Sequence, residues 1–343
     1  MLPLQLIYFV TNRCNYTCKH CFLKNKADIK EEALRPADIE RLSGTIPFLA
    51  SLSITGGEPF IRNDIVDLVR AFYKNTKINS LVINTNGYAP DRIKDLTSGI
   101  LKVVKGSRVL FGISLDGIGE KNDEIRGVRG SFENALKTYN NLKVFAKEYK
   151  NFTIGIGITC SLFNKSEIME LYRYIRDKIK PDNIGINLMR GKNWKERVAD
   201  AGIDEYASVT LQKENDSKAG FFKMSRNNIF KRAIFAKELV QYELIKKIYI
   251  NNRYMHKCFA GSMLAVMAPG GDIYPCEMTE FPIGNIKDFN FSLKKLWSSK
   301  EAKKTRRYIK DVRCFCTYEC ALTTGIFFNP VLYPSLIKKF MGI

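Results

Sequence analysis

Short apolar runs alternate with longer amphipathic stretches from the N-terminus to Met189. The runs Leu4–Val10, Leu52–Thr55, Ser80–Asn84, Val109–Leu115, Phe152–Cys160 and Ile184–Met189 are bounded by turn residues and read as strands. Between them, Arg35–Ala50, Ile61–Tyr73, Pro90–Val104, Ser131–Tyr149 and Lys165–Ile179 read as helices, with Pro36 suited to a first turn and Ser131 to a cap. Continuous apolar strands separated by helices imply an α/β protein with a parallel sheet and right-handed crossovers. Six such units are too few for a closed eight-stranded barrel.

The pattern changes after residue 190. Gly191–Lys257 begins polar and becomes helical and highly charged from Lys231 to Lys247, with Ile234, Leu239, Leu244 and Ile248 on one face. It reads as a helical linker packed on the barrel. Ala265–Tyr274 reads as a hairpin about Pro269–Gly270–Gly271. A helix follows at Ser292–Ile309, with Leu296 and Trp297 on its inner side, and the tail Gly325–Met341 is apolar and aromatic. The expected organisation is therefore a barrel over 1–190, a linker over 191–257 and a small α+β subdomain with its tail over 258–343.

Chemistry enters at the strand ends, where parallel α/β folds place their sites. Cys14, Cys18 and Cys21 follow the first strand. Three thiolates so close in sequence can hold three corners of a [4Fe–4S] cube and leave one iron open. The alternative is a zinc knuckle or buried thiols, in which His20 would be crowded as a fourth ligand. Gly56–Gly57–Glu58–Pro59 ends the second strand, Thr85–Asn86–Gly87 the third, and Ser114–Leu115–Asp116–Gly117 the fourth. Strand alternation puts Ser114 and Asp116 on one face.

The C-x3-C-x2-C spacing followed by GGEP resembles the radical S-adenosylmethionine (SAM) enzymes. The resemblance implies a partial (β/α)6 TIM-like barrel and reductive cleavage of SAM to a 5′-deoxyadenosyl radical that abstracts hydrogen from a substrate. It also implies SAM contacts from Gly56, Gly57, Glu58, Pro59, Asn86, Ser114, Asp116 and Leu188, with Arg126 reaching the SAM carboxylate. For Asp116 and Asn86 the alternative is a turn-forming role, and for Arg126 a surface salt bridge.

Further on, Cys258, Gly271 and Cys276 form C-x12-G-x4-C, and Cys314, Cys316 and Cys320 follow. This resembles the SPASM/Twitch subdomain, which implies cluster ligation there. Five thiolates can saturate one [4Fe–4S] cluster but not two. One auxiliary cluster is expected, on Cys258, Cys276, Cys320 and either Cys314 or Cys316, with structural zinc as the alternative. Cys160, in an apolar strand, reads as an inert buried thiol.

The chain has 343 residues and a formal net charge of +20. That balance favours anionic partners, but the basic residues are scattered and no RNA-binding motif accompanies them, so nucleic acid is not the expected partner. Met1–Val10 lacks a basic start and a cleavage site, and no run of eighteen apolar residues occurs. Nine cysteines then imply reduced thiols and metal rather than a disulfide frame. The expected setting is cytoplasmic and anaerobic, with a low-potential donor such as flavodoxin or ferredoxin and a peripheral membrane contact through the tail. The barrel begins within the first ten residues, without a preceding peptide-recognition domain. That favours oxidation or modification of a sugar, alcohol or glycan over the alternative of peptide or protein side chains. A non-catalytic Fe–S protein binding nucleic acid is the rival of another class.

Overall fold

A computed structural model describes residues 1–23, 32–191, 196, 198, 200–222 and 229–342. The chain forms two interleaved compact units, Met1–Gly155 with Ala260–Arg307, and Ile156–Phe259 with Tyr308–Ile343. The main strands are β1 Gln5–Phe9, β2 Ser51–Thr55, β3 Ser80–Thr85, β4 Arg108–Ser114, β5 Phe152–Cys160, β6 Asn183–Leu188, β7 Leu264–Met267, β8 Asp272–Tyr274 and β9 Gly284–Asn285. All six strands read from the sequence form, and β5 has the expected limits.

In the first unit the strands lie in the order β9–β8–β7–β1–β2–β3–β4, followed by the start of β5. The pairs from β7 through β4 are parallel, with Tyr8 opposite Ile54 and Thr85 opposite Ile113. The C-terminal hairpin thus joins the sheet directly beside β1. Along β2, Leu52 and Ile54 are buried while Ser51, Ser53 and Thr55 are half-buried, and β4 alternates likewise. One face packs beneath the helices, and the other, Leu110 apart, carries small or polar groups in β2 and β4. Gly112 belongs to that second face, where a β-carbon would meet Asn84 Oδ1 at 2.5 Å.

The helices depart from expectation where local chemistry interrupts them. The first is Pro36–Ser43, stopped by Gly44 and the following Pro47. Ile61–Tyr73 becomes a 3₁₀ turn, Pro59–Ile61, and a helix, Ile65–Asn75. Ser131–Tyr149 breaks at Val144 into Ser131–Lys143 and Phe145–Glu148. Its cap is left-handed Gly130, not Ser131. Asp123 accepts from the N–H groups of Gly130 and Phe132 and from Ser131 Oγ, so the preceding helix satisfies this terminus. Lys165–Ile179 ends in a π turn.

In the second unit β6 follows the end of β5. The expected linker forms two helices, Ile203–Lys218 and Ile229–Asn251; its residues 192–195, 197, 199 and 223–228 lie outside the described residues. The longer helix is not one-sided. Val240 and Leu244 meet Ile326 and Leu332, while Tyr242 stacks edge-on against Tyr206. Its neighbours seal the free edge of β6. Lys213 Nζ donates to Ile184 O at 2.5 Å, the Ile186 N–H donates to the Tyr242 hydroxyl oxygen, and the Leu188 N–H donates to Glu319 Oε1 at 3.2 Å. The buried Lys213 ammonium also donates to Glu238 at 2.7 Å, and Tyr242 donates to the same carboxylate.

Candidate functional site: a thiol loop on a glycine cradle

The cysteine loop leaves β1 and lies on the turn that ends β2. The Gly57 N–H donates to Thr11 O at 2.8 Å and the Glu58 N–H to Arg13 O at 3.0 Å. A β-carbon at Gly56 would stand 2.2 Å from Thr11 O, and one at Gly57 2.0 Å from Arg13 O. Gly56 also has φ of +137°, a conformation that other residues resist. In this structure the two glycines make the backbone contact that shapes the cysteine loop. Pro59 opens the adjoining 3₁₀ turn and is buried.

Glu58 is fully buried. Its carboxylate accepts from the Phe60 N–H, Thr85 Oγ1 and, at 2.7 Å, the Asn86 N–H. It therefore ties the end of β2 to the end of β3. Burial pushes its pKa up to about 7, against the pull of those hydrogen bonds. Asn86 builds its own turn by accepting from the Tyr88 N–H, and its Nδ2 points at Asn15 and at Cys14 Sγ, 3.7 Å away.

The three thiols lie close enough to act on one another electrostatically. Cys14 Sγ also accepts from the Tyr16 N–H at 3.4 Å. Burial pushes the Cys18 thiol up, and Arg126 pulls it down. Arg126 is buried at the end of the helix Glu120–Arg126, which left-handed Gly127 terminates. Its Nη2 stands 2.5 Å from Asp116 Oδ2 and its Nη1 3.8 Å from Cys18 Sγ. Asp116 follows β4 and is fully buried; its N–H donates to Asn122, and His20 Nε2 lies 3.5 Å from its Oδ2. Ser114 ends β4, half-buried.

A [4Fe–4S] cluster fits this donor set. Cys14 and Cys18, which burial keeps from ionising, gain from a bound cation, and the N–H groups aimed at their sulfurs suit metal-bound thiolates. Among the described residues no three His, Cys, Asp or Glu side chains converge as a single-ion cage; a four-iron cube spaces its ligands farther apart than one ion does.

A cavity of about 120 Å³ opens beside this loop, within the first unit. Phe9, Phe22, Leu23, Val266 and Pro269 supply apolar wall, while Asn12, Tyr274, Glu277 and Thr279 supply polar groups. Cys276 also lines it, at the end of the C-terminal hairpin. Of this lining, the sequence had marked Cys276 as a cluster ligand and placed Pro269 and Tyr274 in the hairpin; the apolar wall itself was not singled out.

The other C-terminal thiols belong to the second unit. Burial pushes the Cys316 thiol up to about 12, and the charge of neighbouring Cys258 adds to the effect. Arg190 lies over the Tyr318 ring at 4.5 Å. Cys314 is buried, and Cys320 opens the next helix close enough to Lys237 to act on its charge. Leu188, also in this unit, is buried at the end of β6. Cys160 is fully buried with Sγ 3.5 Å from Gly202 O.

Parallel strands, a cysteine loop on a glycine turn and a second thiol group define an iron–sulfur enzyme of the radical SAM type. The family comparison agrees: the radical SAM superfamily pattern matches residues 8–202, and the SPASM iron–sulfur cluster-binding domain matches 258–321. The chain belongs to the radical SAM superfamily and carries a SPASM domain. Its cofactors are SAM, the SAM-binding [4Fe–4S] cluster and auxiliary iron–sulfur. It is 28% identical over 92% of its length to the antilisterial bacteriocin subtilosin biosynthesis protein AlbA of Bacillus subtilis, spanning 66% of that protein. It is 30% identical over 50% of its length to a pre-heme d1 synthase of Dinoroseobacter shibae, spanning 40% of it. The chain thus covers less than two thirds of these relatives. Among solved structures, native anSMEcpe with bound AdoMet aligns over 99% of this chain and all of that one, with a TM-score of 0.64 and 18% identity. Streptococcus suis SuiB bound to precursor peptide SuiA aligns over 89% of this chain and 67% of that one, with a TM-score of 0.56 and 18% identity. Both share the fold.

Proposed function

We propose that this enzyme modifies a peptide or protein side chain. The observation that carries the reading is the cavity beside the cysteine loop. Six apolar side chains, Ala268 among them, wall it, with a few polar groups between, which suits an apolar side chain whose flanking amides find hydrogen bonds. A polyol or glycan needs polar partners along its whole surface. The similarity to AlbA supports the same choice, so the peptide reading replaces the sugar, alcohol or glycan reading.

When bound, SAM and its cluster supply a 5′-deoxyadenosyl radical that removes a hydrogen atom from the substrate. Cys14, Cys18 and Cys21 hold the cluster, and the Gly56–Pro59 turn keeps their loop in place. Ser114 and Asn86, at the ends of β4 and β3, would contact SAM. The apolar wall excludes water and orients the substrate side chain, and Glu277 supplies a carboxylate to the described lining. A low-potential donor, flavodoxin or ferredoxin, supplies the electron; the positive balance of the chain favours an acidic one. The C-terminal helix rests on a membrane surface through its exposed apolar side, beside Lys338.

The test is anaerobic release of 5′-deoxyadenosine by the reconstituted chain with dithionite. Linear peptides carrying Phe, Leu or Met should stimulate release and change in mass. Stimulation by polyols or oligosaccharides alone would return the reading to small molecules.

A further inference from the structure

The C-terminal part of the first unit carries charge that the fold does not use. After the hairpin, Ser292 caps the short helix Leu293–Ser298, and Ser299 Oγ accepts from the Ala302 N–H at the start of the next, Lys300–Asp311. Leu293, Leu296, Trp297, Ala302 and Thr305 are buried and fix the inner face of the two helices. Arg306 pins them further, donating to Gly261 O and to Trp297 O, each at 3.1 Å. Lys294, Lys295, Lys300, Lys303, Lys304 and Arg307 are all left exposed. The last four recur at helical spacing and form one stripe. None of the six has an ion-pair partner among the described residues. Elsewhere in this unit exposed lysines do pair, Lys19 with Glu124, Lys74 with Glu40 and Lys137 with Asp91.

The stripe works against its own helix. Cations in a first turn oppose the helix dipole, and like charges four residues apart repel, here Lys300 with Lys304 and Lys303 with Arg307. Between Ser292 and Arg307 the only acid is Glu301, and no large apolar side chain of that stretch is exposed. A face of one sign without apolar anchors suits a partner that charge steers in and that leaves quickly, as electron-transfer partners do. A bilayer or a tightly held peptide draws on apolar contacts as well. We propose that this basic face, within the SPASM match over 258–321, is the docking surface for the acidic low-potential protein that reduces the enzyme. It rests on the reading that a flavodoxin or ferredoxin supplies the electron. Each encounter moves one electron: the donor is oxidised by one, an iron–sulfur centre of the chain is reduced by one, and no proton or group is transferred.

The experiment is anaerobic stopped-flow reduction of the reconstituted full chain by reduced flavodoxin, and separately by dithionite, at low and high salt. One variant, Lys300→Gln with Lys303→Gln, Lys304→Gln and Arg307→Gln, clears the stripe. A control, Lys102→Gln with Lys105→Gln, Lys147→Gln and Lys150→Gln, removes as much exposed charge elsewhere in the same unit. The wild-type rate with flavodoxin should fall steeply with salt. The stripe variant should lose at least about tenfold at low salt, and most of the salt dependence with it. The control should keep both. Reduction by dithionite should be the same in all three, which shows that each folds and loads its clusters. If the fourfold variant binds no iron, Lys303→Glu alone serves, with a loss of the same sign. An equal loss in the control would overturn the proposal, since net charge and not this face would then set the rate. An unchanged flavodoxin rate in the stripe variant would overturn it too; if that variant also lost salt-dependent binding to a DNA oligonucleotide, the face would belong to nucleic acid. A wild-type chain that dithionite reduces, but neither flavodoxin nor ferredoxin does, would remove the donor reading itself and the docking surface with it.

Discussion

Glu58 shows how one buried group can serve structure within a site. Its folded pKa of about 7 lies above the ordinary 4.5. Between those values the folded chain holds a proton that the unfolded chain has released. The stabilisation this group gives is therefore complete below about pH 4.5 and falls as pH rises through about 7. Glu58→Gln should flatten that dependence. It should also cost roughly 1–3 kcal/mol, because an amide nitrogen cannot accept from the Asn86 N–H that the carboxylate now receives. Anaerobic urea unfolding across pH 4.5–7.5, compared between the two proteins, measures both effects. The spacing of Cys14, Cys18 and Cys21 announced their clustering, since all three sit on one short loop. The pairing of Arg126 with Asp116 was not legible, because it joins the end of β4 to the end of the following helix, a contact that only the fold sets.

At the scale of elements, strands were easier to read than helices. A strand such as Phe152–Cys160 is fixed by its own apolar content, and its observed limits are those of the sequence pattern. Helix ends depend on partners elsewhere. Nothing near Val144 marks a break, and the cap at Gly130 relies on Asp123 from the preceding helix. The seal on β6 was equally hidden, because Lys213, Tyr242 and Glu319 reach it from three separate helices. An unpaired strand edge invites pairing with another chain, and here side chains occupy Ile184, Ile186 and Leu188 in turn. Lys213→Met should remove the ammonium that donates to Glu238, leaving it only the more distant charge of Lys237, and destabilise this region by roughly 3 kcal/mol. The Ile186 and Leu188 amides should then exchange faster with deuterium. Adding Glu238→Gln should restore most of the protection.

At the scale of the molecule, the C-terminal tail is the feature that the barrel does not use. No single described helix is long and apolar enough to cross a membrane, and the pair Glu319–Phe328 and Pro330–Met341 is bent by 90°. The terminal helix instead packs through Leu332 and Leu336 and through Lys339, which meets Glu214 and Glu243. Its other side leaves Val331, Ile337 and Met341 exposed at 77%, 61% and 72%. With net positive charge behind it, such a ridge suits an anionic bilayer surface. The chain should co-float with vesicles containing phosphatidylglycerol and not with neutral ones, and Ile337→Glu should abolish flotation. Equal binding by that variant would leave the ridge without this role.

The glycine cradle has a consequence for how the protein acquires its iron. Small zinc domains fold around their metal, so their binding energy is spent on ordering the chain. Here the path of the cysteine loop is set by backbone bonds from Gly57 and Glu58 to Thr11 and Arg13. The course of the loop thus depends on backbone contacts as well as on its thiols, and loss of the Gly57 and Glu58 bonds should impair cluster loading.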